Sequence, residues 1–266
     1  MPFADIRGAH LFYTDDGTGG IPMVFVHGFS CDSHDWSWQL PHFTGSHRVV
    51  ALDLRGHGRS GAPDDGYQVP SLAADVAGLV ELLGCGPVVA VGHSLGGAIV
   101  ATLAVERPDL VQAVVAVDPG HLLPDEVAPM LAEAMAEYES GDPGPVARDA
   151  FDRISHVPAT PPALATWHNR RAEGLPPHVA RLTMAGLIGG PAPFALRAPS
   201  EPYLRGVGCP VLSFYVDPLR IAIDSNVFAP PSRAVCFEGS GHWLHQERPA
   251  EVNFIIDTWL AGLTSD

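Results

Sequence analysis

A serine set in a tight strand-to-helix turn constrains this chain more than any other stretch. Val88-Val89-Ala90-Val91 is a short apolar run that reads as a buried strand, Gly92-His93-Ser94-Leu95-Gly96-Gly97 follows as a Gly-x-Ser-x-Gly turn, and the small residues of 98–104 read as a helix. Such a turn exposes the serine hydroxyl, lets neighbouring backbone pass close to it, and aims the helix N-terminus where negative charge develops. A chance match is easy in a chain with 28 glycines. The strand before the turn and the helix after it are what make the motif credible.

The rest of the chain supplies a frame for that turn. Two short alternating segments, 4–7 and 10–14, read as an antiparallel hairpin, and Asp15-Asp16-Gly17-Thr18-Gly19-Gly20 reads as a turn. Buried parallel strands are expected at 22–26, 48–53, 88–91, 114–117, 210–216 and 234–237, with helices at 71–83, from 98 onward and from Pro249 to the end. The β-α alternation stops between 118 and 209, where prolines are dense and amphipathic pieces appear at 127–138 and 179–187. Strands alternating with helices imply an α/β protein with a mostly parallel sheet covered on both faces. The expected organisation is one structural unit, a core of 1–118 and 206–266 with a cap over the strand ends at 119–205.

Charge and cysteine usage narrow the partners. Lys and Arg number 15 against 30 Asp and Glu, a net charge of −15, which argues against nucleic acid or an anionic membrane. The N-terminus lacks the pattern of a secretory signal, and no apolar run approaches the ~20 residues of a membrane span. Cys31, Cys85, Cys209 and Cys236 lie far apart. They read as reduced thiols, so the expected location is cytoplasmic. Oligomeric state is not legible.

A serine hydroxyl is a weak nucleophile until a base takes its proton, and the base needs a third group to hold its tautomer. His242, in Gly239-Ser240-Gly241-His242 after the last strand, fits the base. Two aspartates at strand ends fit the acid: Asp217 after the 210–216 strand, which is preferred, and Asp118 after the 114–117 strand, the alternative. The oxyanion needs two backbone N–H donors. Leu95, next to the serine, supplies one, and Phe29 in His27-Gly28-Phe29 is expected to supply the other. Candidate pocket residues in the cap are Met130, Phe151, Trp167, His168 and Met184, with Met135, Leu187 and Phe194 behind them.

Four segments together, His27-Gly28-Phe29, Asp53-Leu54-Arg55-Gly56-His57-Gly58-Arg59-Ser60, Gly92-His93-Ser94-Leu95-Gly96-Gly97 and Gly241-His242-Trp243, resemble the α/β-hydrolase superfamily and arrive in its order. The resemblance implies an α/β-hydrolase fold with an eight-stranded sheet, a cap between strands six and seven, and Ser94 and His242 as a working pair. The Asp53–Ser60 segment is chiefly a structural turn in that family. Members with the acid after strand seven usually show Gly-x-x-Asp there, whereas this chain has Tyr215-Val216-Asp217-Pro218. Zearalenone lactonases and cofactor-free quinaldine dioxygenases place it after strand six, where Asp118 stands. Haloalkane dehalogenases and epoxide hydrolases of this fold need an aspartate nucleophile, which Ser94 is not.

The expectation is a serine hydrolase that uses water to cleave a carboxylic ester or lactone of a small, largely apolar molecule, with no metal and no cofactor. The alternatives are carbon–carbon bond hydrolysis or cofactor-free oxygenation of an aromatic by the same pair. A non-catalytic small-molecule receptor is a third.

Overall fold

Short Val- and Ala-rich strands with no exposed face build the centre of the molecule. The computed structural model describes residues 2–263. Eight strands form one sheet: β1 (Phe3–Ile6), β2 (Ala9–Asp16), β3 (Met23–Val26), β4 (Val49–Leu52), β5 (Val88–His93), β6 (Val111–Val117), β7 (Val211–Tyr215) and β8 (Arg233–Cys236). Their spatial order is β1-β2-β4-β3-β5-β6-β7-β8. Strands β1 and β2 form the antiparallel hairpin, β2 runs antiparallel to β4, and every other pairing is parallel. The sheet is therefore eight-stranded and mostly parallel, as the resemblance implies.

Alternate residues of the parallel strands feed two separate cores, which is why these strands read as continuous apolar runs. Val24, Val26, Val88, Ala90 and Val114 face one layer with Leu72, Val76, Ile99 and Leu103. Met23, Phe25, Val89, Val91, Val115 and Phe214 face the other, with Trp36, Phe43, Val252, Ile256 and Trp259. The helices supplying these layers are α1 (Leu40–Phe43), α2 (Val69–Leu82), α3 (Leu95–Glu106) and, at the C-terminal end, α11 (Pro249–Leu263).

Between β6 and β7 the chain is more regular than its prolines imply. It forms α4 (Ala128–Ser140), α5 (Pro143–Ala150), a π-turn (Phe151–Ser155), α6 (Pro162–Gly174), α7 (Pro177–Ile188) and α8 (Arg197–Leu204). Prolines open α5, α6 and α7 at the first turn, where the missing N–H has no helical partner to lose. Helix α8 already packs on α3, so contact with the core layer resumes at 197–204. After β7 come α9 (Leu219–Val227), which the sequence reading does not anticipate, and α10 (Leu244–Glu247).

Register sets the strand ends beside one another. His93 on β5 pairs with Val117 on β6, and Val117 with Phe214 on β7. The residues that follow, Ser94 and Asp118, thus leave neighbouring strands at one edge. Ser94 takes φ 52° and ψ −115°, a strained left-handed turn. A Cβ at Gly96 would overlap the Val26 carbonyl oxygen, and one at Gly92 the Gly96 carbonyl, so this close packing admits only glycine at both positions.

Candidate active site

His242 sits between a carboxylate and the cavity that Ser94 faces. Its Nδ1 lies 2.5 Å from Asp118 Oδ2, so this nitrogen carries a proton that it donates to the carboxylate, and Nε2 is left for the cavity side. Ser94 and His242 line the same cavity of about 640 Å3. Ser94 Oγ has no hydrogen-bond partner among the described residues. A catalytic hydrogen bond of this kind often closes only when substrate is present.

Two contacts hold the His242 backbone. The His242 N–H donates to the Ser155 carbonyl at 2.9 Å, and His93 Nε2 donates to the His242 carbonyl at 3.0 Å. The Gly241 N–H donates to Glu247 Oε2 at 2.7 Å, and Thr160 Oγ1 donates to Glu247 Oε1 at 2.6 Å.

The carboxylate on His242 is that of Asp118, and Asp217 is engaged elsewhere. Asp217 Oδ1 accepts the Leu219 N–H at 2.9 Å, closing the turn into α9. The reason is chain length. Only Val216 separates β7 from Asp217, and the chain then bends directly into α9, which turns that carboxylate back on its own helix. Asp118 is buried beside Arg220, whose Nη1 lies 3.2 Å from Asp118 Oδ1. Burial pushes the Asp118 carboxyl up, but the His242 hydrogen bond and the charges of His242 and Arg220 outweigh it and hold the group below its ordinary range.

The two expected oxyanion donors are free to act. The Leu95 N–H belongs to the first turn of α3, and neither it nor the Phe29 N–H has an acceptor among the described residues. His27 fixes the Phe29 loop, its Nε2 accepting the Leu54 N–H at 2.9 Å while Nδ1 donates to the Gly28 carbonyl at 2.7 Å. These two bonds require the neutral ring, and burial pushes the His27 pKa down. Asp53 anchors the neighbouring turn by accepting the Ser33 and Arg59 N–H groups at 2.8 and 2.9 Å.

The cavity wall is apolar, built from Phe29, Leu131, Tyr138, Phe151, Met184 and Leu187. Met130 also lines it, whereas Trp167, His168, Met135 and Phe194 do not. His168 is buried behind the wall, stacked on Trp243 at 3.8 Å and bonded through Nε2 to Gln246 Oε1 at 3.1 Å. Trp167 lies under the Arg171 guanidinium at 4.6 Å, and Phe194 packs edge-on to Tyr203 at 5.9 Å. Met135, half-buried, packs against the core. The sequence reading missed Leu131, Tyr138, Trp243 and Arg220. Leu131 and Tyr138 were findable, because they stand seven residues apart on one face of the amphipathic 127–138 piece.

Beneath Ser94 lies a buried polar cluster. Asp35, His93 and His245 bring ligand-type atoms within 4.8 Å of one another, and Asp35 Oδ2, His93 Nδ1 and both His245 nitrogens lack hydrogen-bond partners. Arg171 Nη1 already sits 2.5 Å from Asp35 Oδ1, so a metal cation there would meet a guanidinium. All four cysteines are free, and no described helix is long and apolar enough to cross a membrane.

Burial holds several histidines neutral: His57, His121 and His245 are pushed down to about 3 and His168 to about 4. A folded-state pKa below the ordinary 6.5 means that the unfolded chain takes up protons first, so stability is lost as pH falls from 6.5 toward the folded values. Each such group costs about 1.4 kcal/mol per pH unit in that window. The four together cost at most about 6 kcal/mol per unit, against a typical domain stability of ~5–15 kcal/mol. Acid titration followed by far-UV circular dichroism is expected to show cooperative unfolding near pH ~5. A signal flat down to pH ~3.5 would contradict it.

Comparison with known proteins identifies the fold family. A family model described as the alpha/beta hydrolase fold matches residues 21–249. The epoxide hydrolase A of Mycobacterium tuberculosis (strain ATCC 25618 / H37Rv) is 28% identical over 97% of this chain and 96% of its own length. A non-heme chloroperoxidase of Streptomyces lividans is 33% identical over 74% of this chain and 57% of its own. The crystal structure of the enol-lactonase from Burkholderia xenovorans LB400 superposes with a TM-score of 0.84 at 20% identity, covering 98% of this chain and all of that one, a likeness of fold.

Proposed function

The chain belongs to the alpha/beta hydrolase fold family, and from that premise we propose that it is a serine hydrolase cleaving a carboxylic ester or lactone of a small, largely apolar molecule. One observation carries the reading: His242 donates through Nδ1 to Asp118, so its Nε2 is the nitrogen left to take a proton beside Ser94. Ser94 Oγ attacks the carbonyl carbon while its proton passes to His242 Nε2. The oxyanion is met by the Phe29 and Leu95 N–H groups. Collapse breaks the bond to the leaving oxygen, which takes the proton from His242, and the acyl group stays on Ser94. Water then gives a proton to His242 and its oxygen to the acyl carbon, and Ser94 leaves with that proton.

Two features support this substrate class. The wall is apolar, and its charged lining residues are largely paired: Arg220 Nη1 lies 3.2 Å from Asp118 Oδ1 and Arg153 Nη2 3.4 Å from Glu137 Oε2, which leaves the Glu133 carboxylate. Three carboxylates against two paired guanidiniums favour neutral molecules over acids. The relative named as an epoxide hydrolase does not extend its activity to this chain. A serine that opened an epoxide would be left as an ether, which an activated water cannot cleave at a carbonyl.

The test combines labelling with turnover. A fluorophosphonate probe is expected to add to the peptide carrying Ser94, and p-nitrophenyl esters and simple lactones are expected to be hydrolysed while styrene oxide is not. Oxygen uptake with an aromatic substrate, or epoxide opening without a Ser94 adduct, would overturn the reading.

A further inference from the structure

Arg220 is a buried cation that the hydrolytic steps never use. Its side chain is 6% exposed and faces the 7% exposed side chain of Asp118. Its reach exceeds one ion pair. Nη1 contacts Asp118 Oδ1 at 3.2 Å, while Nη2 donates to the Pro119 carbonyl at 2.7 Å and to the His121 carbonyl at 2.6 Å. The guanidinium lies over the Tyr215 ring at 4.4 Å, and the Tyr215 hydroxyl donates to Asp224 Oδ2 at 2.8 Å. One planar fork therefore grips both the carboxylate and the backbone of the turn that carries it.

That turn needs gripping. Asp118 sits at φ 37° and Leu122 at φ 56°, both in the left-handed region that disfavours side chains. The same turn is tied to the nucleophile, because the Gly120 N–H donates to the Ser94 carbonyl at 2.7 Å. We infer that Arg220 is a positioning residue of this site, holding Asp118 ionised and turned so that one oxygen meets the guanidinium and the other meets His242. The inference rests on the serine-hydrolase reading. It also accounts for the acid standing after β6: α9 fills the corner after β7 with a cation, and a cation there calls for a carboxylate opposite it.

The surrounding charges point the same way. Facing His242 and Asp118 are His93, with ring centroids 4.6 Å from His242, then His245 behind it and His121 on the gripped turn. Burial keeps all three neutral. Asp224 lies beyond Tyr215, and Glu247 is engaged with Gly241 and Thr160 on the far side of the His242 loop. Arg220 is thus the fixed positive charge facing the Asp118 carboxylate among the described residues. Without it, the full charge of Asp118 falls on the imidazole, the protonated ring is favoured, and a higher pH is needed to free the base.

Arg220→Met is expected to lower kcat about tenfold to a hundredfold with little change in KM, the size of loss a misplaced catalytic group produces. The acid limb of kcat/KM moves to higher pH. Arg220→Lys keeps the charge but cannot span two carbonyls and a carboxylate, so its acid limb stays at the wild-type position while kcat remains reduced. A structural role alone lowers the amount of active enzyme, read by phosphonate titration, and moves no limb. The far-downfield proton resonance of the His242 Nδ1–H gives a readout independent of turnover, and it shifts or vanishes in Arg220→Met. Wild-type kcat, acid limb and resonance in Arg220→Met would overturn the inference, as would wild-type kcat in Arg220→Lys should the methionine variant not fold. A wild-type protein inert to esters and phosphonates, whose resonance nevertheless changes in Arg220→Met, overturns the serine-hydrolase reading and still supports the placement of Asp118 by Arg220.

Discussion

Ser94→Ala is expected to lower ester turnover by about five to six orders of magnitude, since removing the nucleophile of such a unit costs as much as removing the whole unit. The residual rate is expected to come from the Phe29 and Leu95 amides and from the cavity, which in this reading still hold the carbonyl. The fold is expected to survive. Ser94 Oγ has no hydrogen-bond partner among the described residues, so its loss leaves no buried group unsatisfied. Turnover of p-nitrophenyl butyrate by purified variant and wild type, normalised by circular dichroism, reads the effect. A variant retaining more than a tenth of the wild-type rate would remove Ser94 from the reaction.

Asp118→Asn is expected to cost about three to four orders of magnitude in kcat, while Asp217→Asn stays within about twofold. An asparagine cannot stabilise the imidazolium that forms when His242 accepts the Ser94 proton, and its amide N–H2 can hold the ring in the wrong tautomer. It also leaves Arg220 facing a neutral group in a buried corner, so the melting temperature falls along with activity. In Asp217→Asn the side-chain carbonyl oxygen still accepts the Leu219 N–H, so that substitution is expected to be silent. The reverse pattern, a dead Asp217→Asn and an active Asp118→Asn, would assign the acid to β7.

The sheet and the strand-to-helix turn at Ser94 were legible in the sequence because both depend on local chemistry. Continuous apolar runs mark strands covered on two faces, and Gly92 and Gly96 stand where backbone comes too close for any side chain. Which carboxylate meets His242 was not legible, because Asp118-Pro119 and Asp217-Pro218 are the same local signal, an aspartate and a proline at a strand end. What separates them is Arg220, three residues after Asp217 in sequence but on Asp118 in space. Trp167 and His168 fail as wall residues for a related reason. Their types suit a pocket, yet α6 turns His168 onto Trp243 behind the wall, and helix rotation against a distant partner leaves no trace in a single chain.

The His242 loop is suspended from two supports. One is the sheet, through β8, and the other is the segment between β6 and β7, through the Ser155 carbonyl and the Thr160–Glu247 contact. That same segment walls the cavity. Changing what the enzyme accepts and changing how fast it turns over are then not separable projects, for evolution or for the engineer. A segment transplanted from a relative brings a new wall and, with it, a new mounting for His242. Ser155 and Thr160 would have to travel as a matched set with Glu247 for a change of diet to leave the chemistry intact.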